Sequence, residues 1–163
     1  VCIVGCGSVG TECAKLFKAF ETHISGADIV KPRSSLYDSF HTMDSLAEAV
    51  SDADVVVLTL PLTDETRNLF DKDVFSSCKD GAVIVNIARG SVVNEDDLIN
   101  ALDSGKLGGA VLDVFENEPL NSDSRLWDME NVIITPHNSF VSPKNQKRMF
   151  NVAYNNIKDF LKG

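Results

Sequence analysis

Residues 3–12 read I-V-G-C-G-S-V-G-T-E, with Gly5, Gly7 and Gly10 at the spacing G-x-G-x-x-G. The apolar run V-C-I-V leads in, and the amphipathic run T-E-C-A-K-L-F-K-A-F leads out. A strand before and a helix after are what separate a nucleotide-binding turn from three glycines at a popular spacing. Each glycine has its own task. Gly5 permits the tight turn, Gly7 lets the backbone approach a pyrophosphate, and Gly10 lets the helix pack close to the strand. The helix N-terminus then presents free N–H groups and a positive dipole to the phosphates.

The same reading calls for an acidic residue about twenty positions on, at the end of the second strand. Asp28 stands eighteen residues after Gly10, closing I-S-G-A-D. A carboxylate there accepts hydrogen bonds from the adenosine ribose hydroxyls and repels an extra phosphate on that ribose. The expected cofactor is therefore NAD rather than NADP. Lys31 and Arg33 follow closely and soften that repulsion.

Outward from this turn, strands and helices alternate. Strands are expected at 1–5, 24–29, 53–60, 82–87, 109–114 and 131–136. Helices are expected at 11–20, 44–50, 68–75, 94–105 and from about 142 to 162. The first should turn Cys13, Leu16, Phe17 and Phe20 to one face. Asp44 or Ser45 is a candidate cap for the second. The helix over 94–105 has an Asn cap, an acidic first turn and a glycine stop. The run A-D-V-V-V-L-T-L is apolar throughout, as a strand buried in a parallel sheet must be. Short apolar strands alternating with helices predict an α/β, doubly wound parallel sheet, the Rossmann fold, as a single domain over residues 1–163.

Composition fits that reading. The chain has 163 residues, enough to bury a core, with 44% hydrophobic and 24% charged residues. Its net charge of −9 argues against a sequence-independent nucleic-acid binder or an anionic-membrane binder, both of which need a basic face. No apolar run has membrane-spanning length. The four cysteines, Cys2, Cys6, Cys13 and Cys78, lack zinc-site spacing, so no metal site is expected. They read as small buried hydrophobes in a reducing, cytoplasmic setting. Cys6 lies inside the glycine turn, at the positive end of a helix, where a thiolate is favoured.

Further motifs follow in order: L-T-L-P-L-T-D-E-T-R (58–67), V-N-I-A-R-G-S-V-V-N-E-D-D-L (85–98), G-G-A-V-L-D-V-F-E-N-E-P-L (108–120) and N-V-I-I-T-P-H-N-S (131–139). Together with the glycine turn they closely resemble the D-isomer-specific 2-hydroxyacid dehydrogenases, over nearly the whole chain. The resemblance implies that Arg89 binds substrate and that Glu118 and His137 are catalytic. It implies cofactor contacts at Gly5, Gly7, Ser8, Val9, Gly10, Asp28, Pro61, Thr66, Ile87 and Ala88, with Asp113 holding the nicotinamide carboxamide. Glu116 is the competing acid in E-N-E, and motif position favours Glu118.

The chemistry is coherent without the family. Reducing a 2-keto acid requires a hydride at carbon and a proton at oxygen. Histidine is the natural proton donor near neutral pH. A neighbouring carboxylate orients the ring and favours its protonated form. An arginine fork fits a substrate carboxylate.

The resemblance also implies a second, substrate-binding domain that this chain does not contain, so that the chain alone should turn over little. It implies a small 2-keto or 2-hydroxy acid substrate and allows a homodimer through this domain. The alternatives are an NAD-sensing, corepressor-like binding module of the same fold, and another NAD enzyme such as an alanine dehydrogenase or adenosylhomocysteinase. The A-R-G and F-E-N-E-P-L motifs speak against the last.

Overall fold

Strand β1 (Cys2–Val4) is completely buried, as its unbroken apolar sequence requires of a strand covered on both faces. It pairs in parallel with β2 (Ser25–Ala27) on one side and β4 (Val55–Leu58) on the other. The computed structural model describes residues 1–162 and places seven strands in one parallel sheet, ordered β3-β2-β1-β4-β5-β6-β7. The remaining strands are β3 (Ser39–His41), β5 (Ala82–Asn86), β6 (Leu107–Leu112) and β7 (Val132–Ile134). The chain runs outward from β1 to β3, then returns to β4 and proceeds the other way. That reversal opens a crevice beyond the C-terminal ends of β1 and β4.

Helix α1 (Ser8–Lys18) packs on β1 through its smallest residues. Gly10 and Ala14 are buried, one turn apart on the same stripe. A Cβ on Gly10 would lie 2.1 Å from the carbonyl oxygen of Gly5, so only glycine permits this approach. The expected apolar face is therefore corrected. Cys13 and Phe17 are half-buried, but Leu16 and Phe20 are exposed. Leu16 is two residues from Ala14, about 200° around the helix, and Phe20 lies past its end.

Three other expectations shift. β3 lies outside the expected strands, because S-F-H offers a single apolar residue; it forms by pairing with β2, Gly26 opposite Phe40. The helix expected at 68–75 is α3 (Lys72–Ser77). Asn68 takes a left-handed φ of 51°, Phe70 bridges to Val93, and the Asp71 carboxylate accepts from Asp73 N and Val74 N, starting the helix there. The second helix is a short 3-10 turn followed by α2 (Leu46–Ser51), with no side-chain cap from Asp44 or Ser45.

Helix α4 (Glu95–Asp103) has its Asn94 cap on Asp97 N, three acids in the first turn and Gly105 at φ 73° beyond its end. The last helix, α5 (Asn145–Phe160), is as long as expected within a few residues, but none of its residues is buried.

These contacts assign the turn's glycines different tasks. Gly10→Ala should lower the unfolding free energy by about 1–3 kcal/mol, because backbone must move to admit the methyl group. A Cβ on Gly7 meets nothing within 4 Å. Gly7→Ala should therefore shift stability by less than about 0.5 kcal/mol. Urea denaturation measures both, and equal losses would contradict the distinction.

Candidate active site

The glycine turn sits at the sheet reversal, tied to both neighbouring strands. Gly5 N–H donates to Ala27 O at 2.8 Å, and the Thr59 hydroxyl at the end of β4 donates to Gly5 O at 2.6 Å. Gly5 itself has φ 96°, and a Cβ there would lie 2.6 Å from Leu60 N. Gly7 precedes α1 and offers no side-chain cap, so the helix's first amides are left for another acceptor. Ser8 and Val9, in that first turn, are exposed.

Asp28 follows β2 directly. Its Oδ2 accepts from Cys6 N and its Oδ1 from Ile29 N, both at 2.6 Å. The carboxylate is thus held at the rim of a cavity of about 340 Å³, which Gly5, Met43, Leu60, Pro61 and Thr66 also line. The Thr66 hydroxyl donates to Pro61 O at 2.8 Å and accepts from Thr63 N at 2.7 Å, which fixes that wall. An open backbone at Gly7, an uncapped helix and an apolar cavity beside a fixed carboxylate fit a dinucleotide's pyrophosphate and adenosine. The expected thiolate at Cys6 is corrected: the side chain is buried, and burial pushes its thiol up to about 11.

The second half of the site lies past the ends of β5, β6 and β7. Asn86, the last residue of β5, is 1% exposed. Its side chain donates to Arg89 O at 3.1 Å and accepts from Ala88 N at 3.0 Å, bracing the turn Ile87–Gly90. Gly90 lies against the Phe115 carbonyl with no room for a side chain. That contact sets the Arg89 turn beside the loop leading to Glu118. Arg89 is exposed, its Nη1 donating to Ala88 O at 2.6 Å.

Glu118 and His137 meet. His137 Nδ1 is 2.7 Å from Glu118 Oε2, and Glu118 Oε1 accepts from Phe115 N at 3.1 Å. An ionised carboxylate only accepts, so Nδ1 carries the proton of this bond and Nε2 is left to exchange one. Burial opposes the charge on Glu118, but the His137 bond and the Phe115 amide outweigh it and hold the carboxyl below its ordinary range. Glu116 makes no such contact with His137; its charge acts instead on Glu95. A cavity of about 450 Å³ adjoins the pair, walled by Phe115, Leu120, Trp127 and Pro136.

Asp113 follows β6 and is 1% exposed. Its Oδ1 accepts from the Thr135 hydroxyl at 2.5 Å and from Asn138 N at 2.9 Å, and its Oδ2 from Ser139 N at 3.0 Å. Burial alone would raise its pKa, yet these donors bring it down to about 2. The sequence motifs assign no role to Asn86 or Thr135. A polar residue ending the apolar run A-V-I-V was the one signal for Asn86.

A glycine turn at the reversal of a doubly wound sheet, beside a fixed carboxylate and an apolar cavity, is the arrangement of a dinucleotide-binding domain. Residues 1–139 match the family described as D-isomer specific 2-hydroxyacid dehydrogenase, NAD binding domain. The chain is similar to a hydroxypyruvate reductase from Blautia hydrogenotrophica, 36% identical over 99% of this chain and 50% of that protein. It is also similar to a D-lactate dehydrogenase from Lactiplantibacillus plantarum, 34% identical over 98% of this chain and 52% of that one. Among solved structures, an NADPH-dependent glyoxylate/hydroxypyruvate reductase from Sinorhizobium meliloti, in complex with NADP and sulfate, superimposes with a TM-score of 0.91. It is 33% identical over 99% of this chain and 52% of that one. The chain belongs to the D-isomer-specific 2-hydroxyacid dehydrogenase family, as its NAD-binding domain. It spans about half the length of the curated relatives it matches.

The depressed pKa of Asp113 makes stability depend on pH. The folded value lies below the unfolded one, so its contribution is complete above about pH 4 and is lost as pH falls toward 2. The loss should be on the order of 2 kcal/mol. Urea midpoints between pH 5 and 2.5 should fall more steeply for the wild type than for Asp113→Asn. Parallel slopes would show that Asp113 is not the titrating group.

Proposed function

We propose that this domain is the cofactor half of an NAD-dependent dehydrogenase that interconverts a small 2-hydroxy acid and its 2-keto acid. The observation that carries this reading is the His137–Glu118 hydrogen bond, at the same end of the sheet as the glycine turn. The names of its relatives, a hydroxypyruvate reductase and D-lactate dehydrogenases, support a 2-keto acid substrate. They do not favour the corepressor-like alternative.

Gly5, Gly7, Ser8, Val9 and Gly10 would hold the pyrophosphate, and Asp28, Pro61 and Thr66 the adenosine. The backbone at Ile87 and Ala88, together with Asp113, would border the nicotinamide. A nicotinamide cofactor held there would supply the hydride for the keto carbon. His137, with Nδ1 donating to Glu118, delivers the proton to the keto oxygen from Nε2. Glu118 stabilises the imidazolium before that transfer and fixes the ring. Arg89 pairs with the substrate carboxylate, its turn held by Asn86.

A second domain, formed by the rest of the protein, closes over this cleft and excludes water. The bare surface of α5 supports it: Phe150, Tyr154 and Ile157 recur at helical spacing and are all exposed. We place the protein in the cytoplasm, a reading supported by four free cysteines. No helix among the described residues is long and apolar enough to cross a membrane.

The cofactor reading is tested by calorimetry with NADH and NADPH. We expect NADH to bind more tightly, and Asp28→Ala to weaken it about tenfold through lost ribose hydrogen bonds. A preference for NADPH would overturn the assignment of Asp28. In the full-length protein, His137→Asn should lower kcat by roughly a hundredfold or more while leaving the NADH Kd within about twofold. An equal loss in both would assign His137 to the cofactor site or the fold instead of proton transfer.

A further inference from the structure

His137 occupies an unusual backbone conformation. Its φ is 50°, in the left-handed region, and its N–H folds back to Thr135 O at 3.1 Å. A non-glycine residue is rarely stable there, and such a conformation persists only where the surroundings over-determine it. The imidazole itself meets Glu118 and Phe140, and one other side chain holds the backbone on both sides of it. All three hydrogen bonds to the Asp113 carboxylate come from the turn around His137: Thr135, two residues before it, and Asn138 and Ser139, the next two.

We propose that Asp113 is a positioning residue for His137, holding the turn in the conformation that aims the imidazole at Glu118. This rests on the dehydrogenase reading above and adds to it a role distinct from contact with the nicotinamide. A carboxylate has about four acceptor sites, and the turn already occupies three. Two successive backbone amides and a hydroxyl converge on a group that only accepts, and each bond is charge-assisted. An amide side chain cannot replace it, because its NH₂ would face an N–H donor. The buried charge, costly by itself, is offset by donors of this turn.

The anchor is wired to the rest of the site. Asp113 N–H donates to Asn86 O at 3.0 Å. The Asn86 side chain in turn braces the Arg89 turn. The two turns that carry Arg89 and His137 are thus fixed to adjacent strand ends through two buried polar residues.

The test uses the full-length protein, with Thr135→Val, Thr135→Ser and Asp113→Asn. Thr135 belongs to no assigned cofactor contact, so Thr135→Val loosens the turn without touching the dinucleotide. We expect it to lower kcat with a 2-keto acid by roughly ten- to a hundredfold, with the NADH Kd within about twofold. Thr135→Ser, which keeps the hydroxyl, should restore kcat.

A second readout needs no turnover. The proton shared by His137 Nδ1 and Glu118 should give a downfield NMR resonance, assigned by its absence in His137→Asn. It should shift or vanish in Thr135→Val and in Asp113→Asn. The proposal is overturned if Thr135→Val leaves kcat and that resonance unchanged. It is equally overturned if Asp113→Asn keeps the resonance and weakens NADH by the same factor as it lowers kcat, for then Asp113 serves the cofactor. If the wild type reduces no 2-keto acid yet the resonance is lost in both variants, the dehydrogenase reading fails and the positioning role stands.

Discussion

The close approach of α1 to β1 across Gly10 is the contact on which this domain depends. The Gly5 carbonyl stands where a side chain would otherwise be, with the Thr59 hydroxyl and the Ile3 side chain beside it. Two consequences follow. The helix axis is pinned over the sheet by its N-terminal turn, so the uncapped amides lie at the crevice and not above the sheet face. The glycine turn is then trapped between β2 and β4, through Gly5 N–H to Ala27 and through the Thr59 hydroxyl. A dipole that stabilises anions is useful only when its end is exposed and aimed, and this packing does both.

The other half of the site is built differently. Its strands end in loops whose conformations are not those of regular structure, and regular backbone pairing cannot hold them. Two buried polar side chains do so instead. Asn86 braces one loop and Asp113 the other, each 1% exposed and each spent on backbone or hydroxyl groups of the segment it holds. The polar core of this domain therefore lies under its reactive groups. The aliphatic core lies on the two faces of the sheet, Ile3 in one cluster and Val4, Val56, Leu58 and Ile84 in the other.

Helix α5 follows neither pattern. The other helices of the domain each bury residues in the core, the usual source of helix stability in proteins. Helix α5 buries no residue, though its apolar residues recur at helical spacing. A helix with an uncovered stripe is consistent with a chain that spans half the length of its relatives.

Much of this domain is legible along the chain. The glycine spacing, Asp28 at its proper distance, the apolar runs of β1, β4 and β5, and the Asn94 cap all follow from interactions between residues close in sequence. The motifs that identify the family are local in the same sense. Other features lie outside any local pattern. β3 exists only because β2 offers it an edge to pair with. Leu16 stays exposed because Gly10 and Ala14, being small, bring a different side of α1 onto the sheet, and Phe20 because the helix ends before it. Asp71 starts α3 four residues later than its apolar spacing suggests. The roles of Asp113 and Thr135 depend on partners across strand ends, twenty-two or more residues apart. Local spacing encodes which residues are present and which periods they follow. Which buried donor meets which acceptor is decided only when the sheet brings those strand ends together.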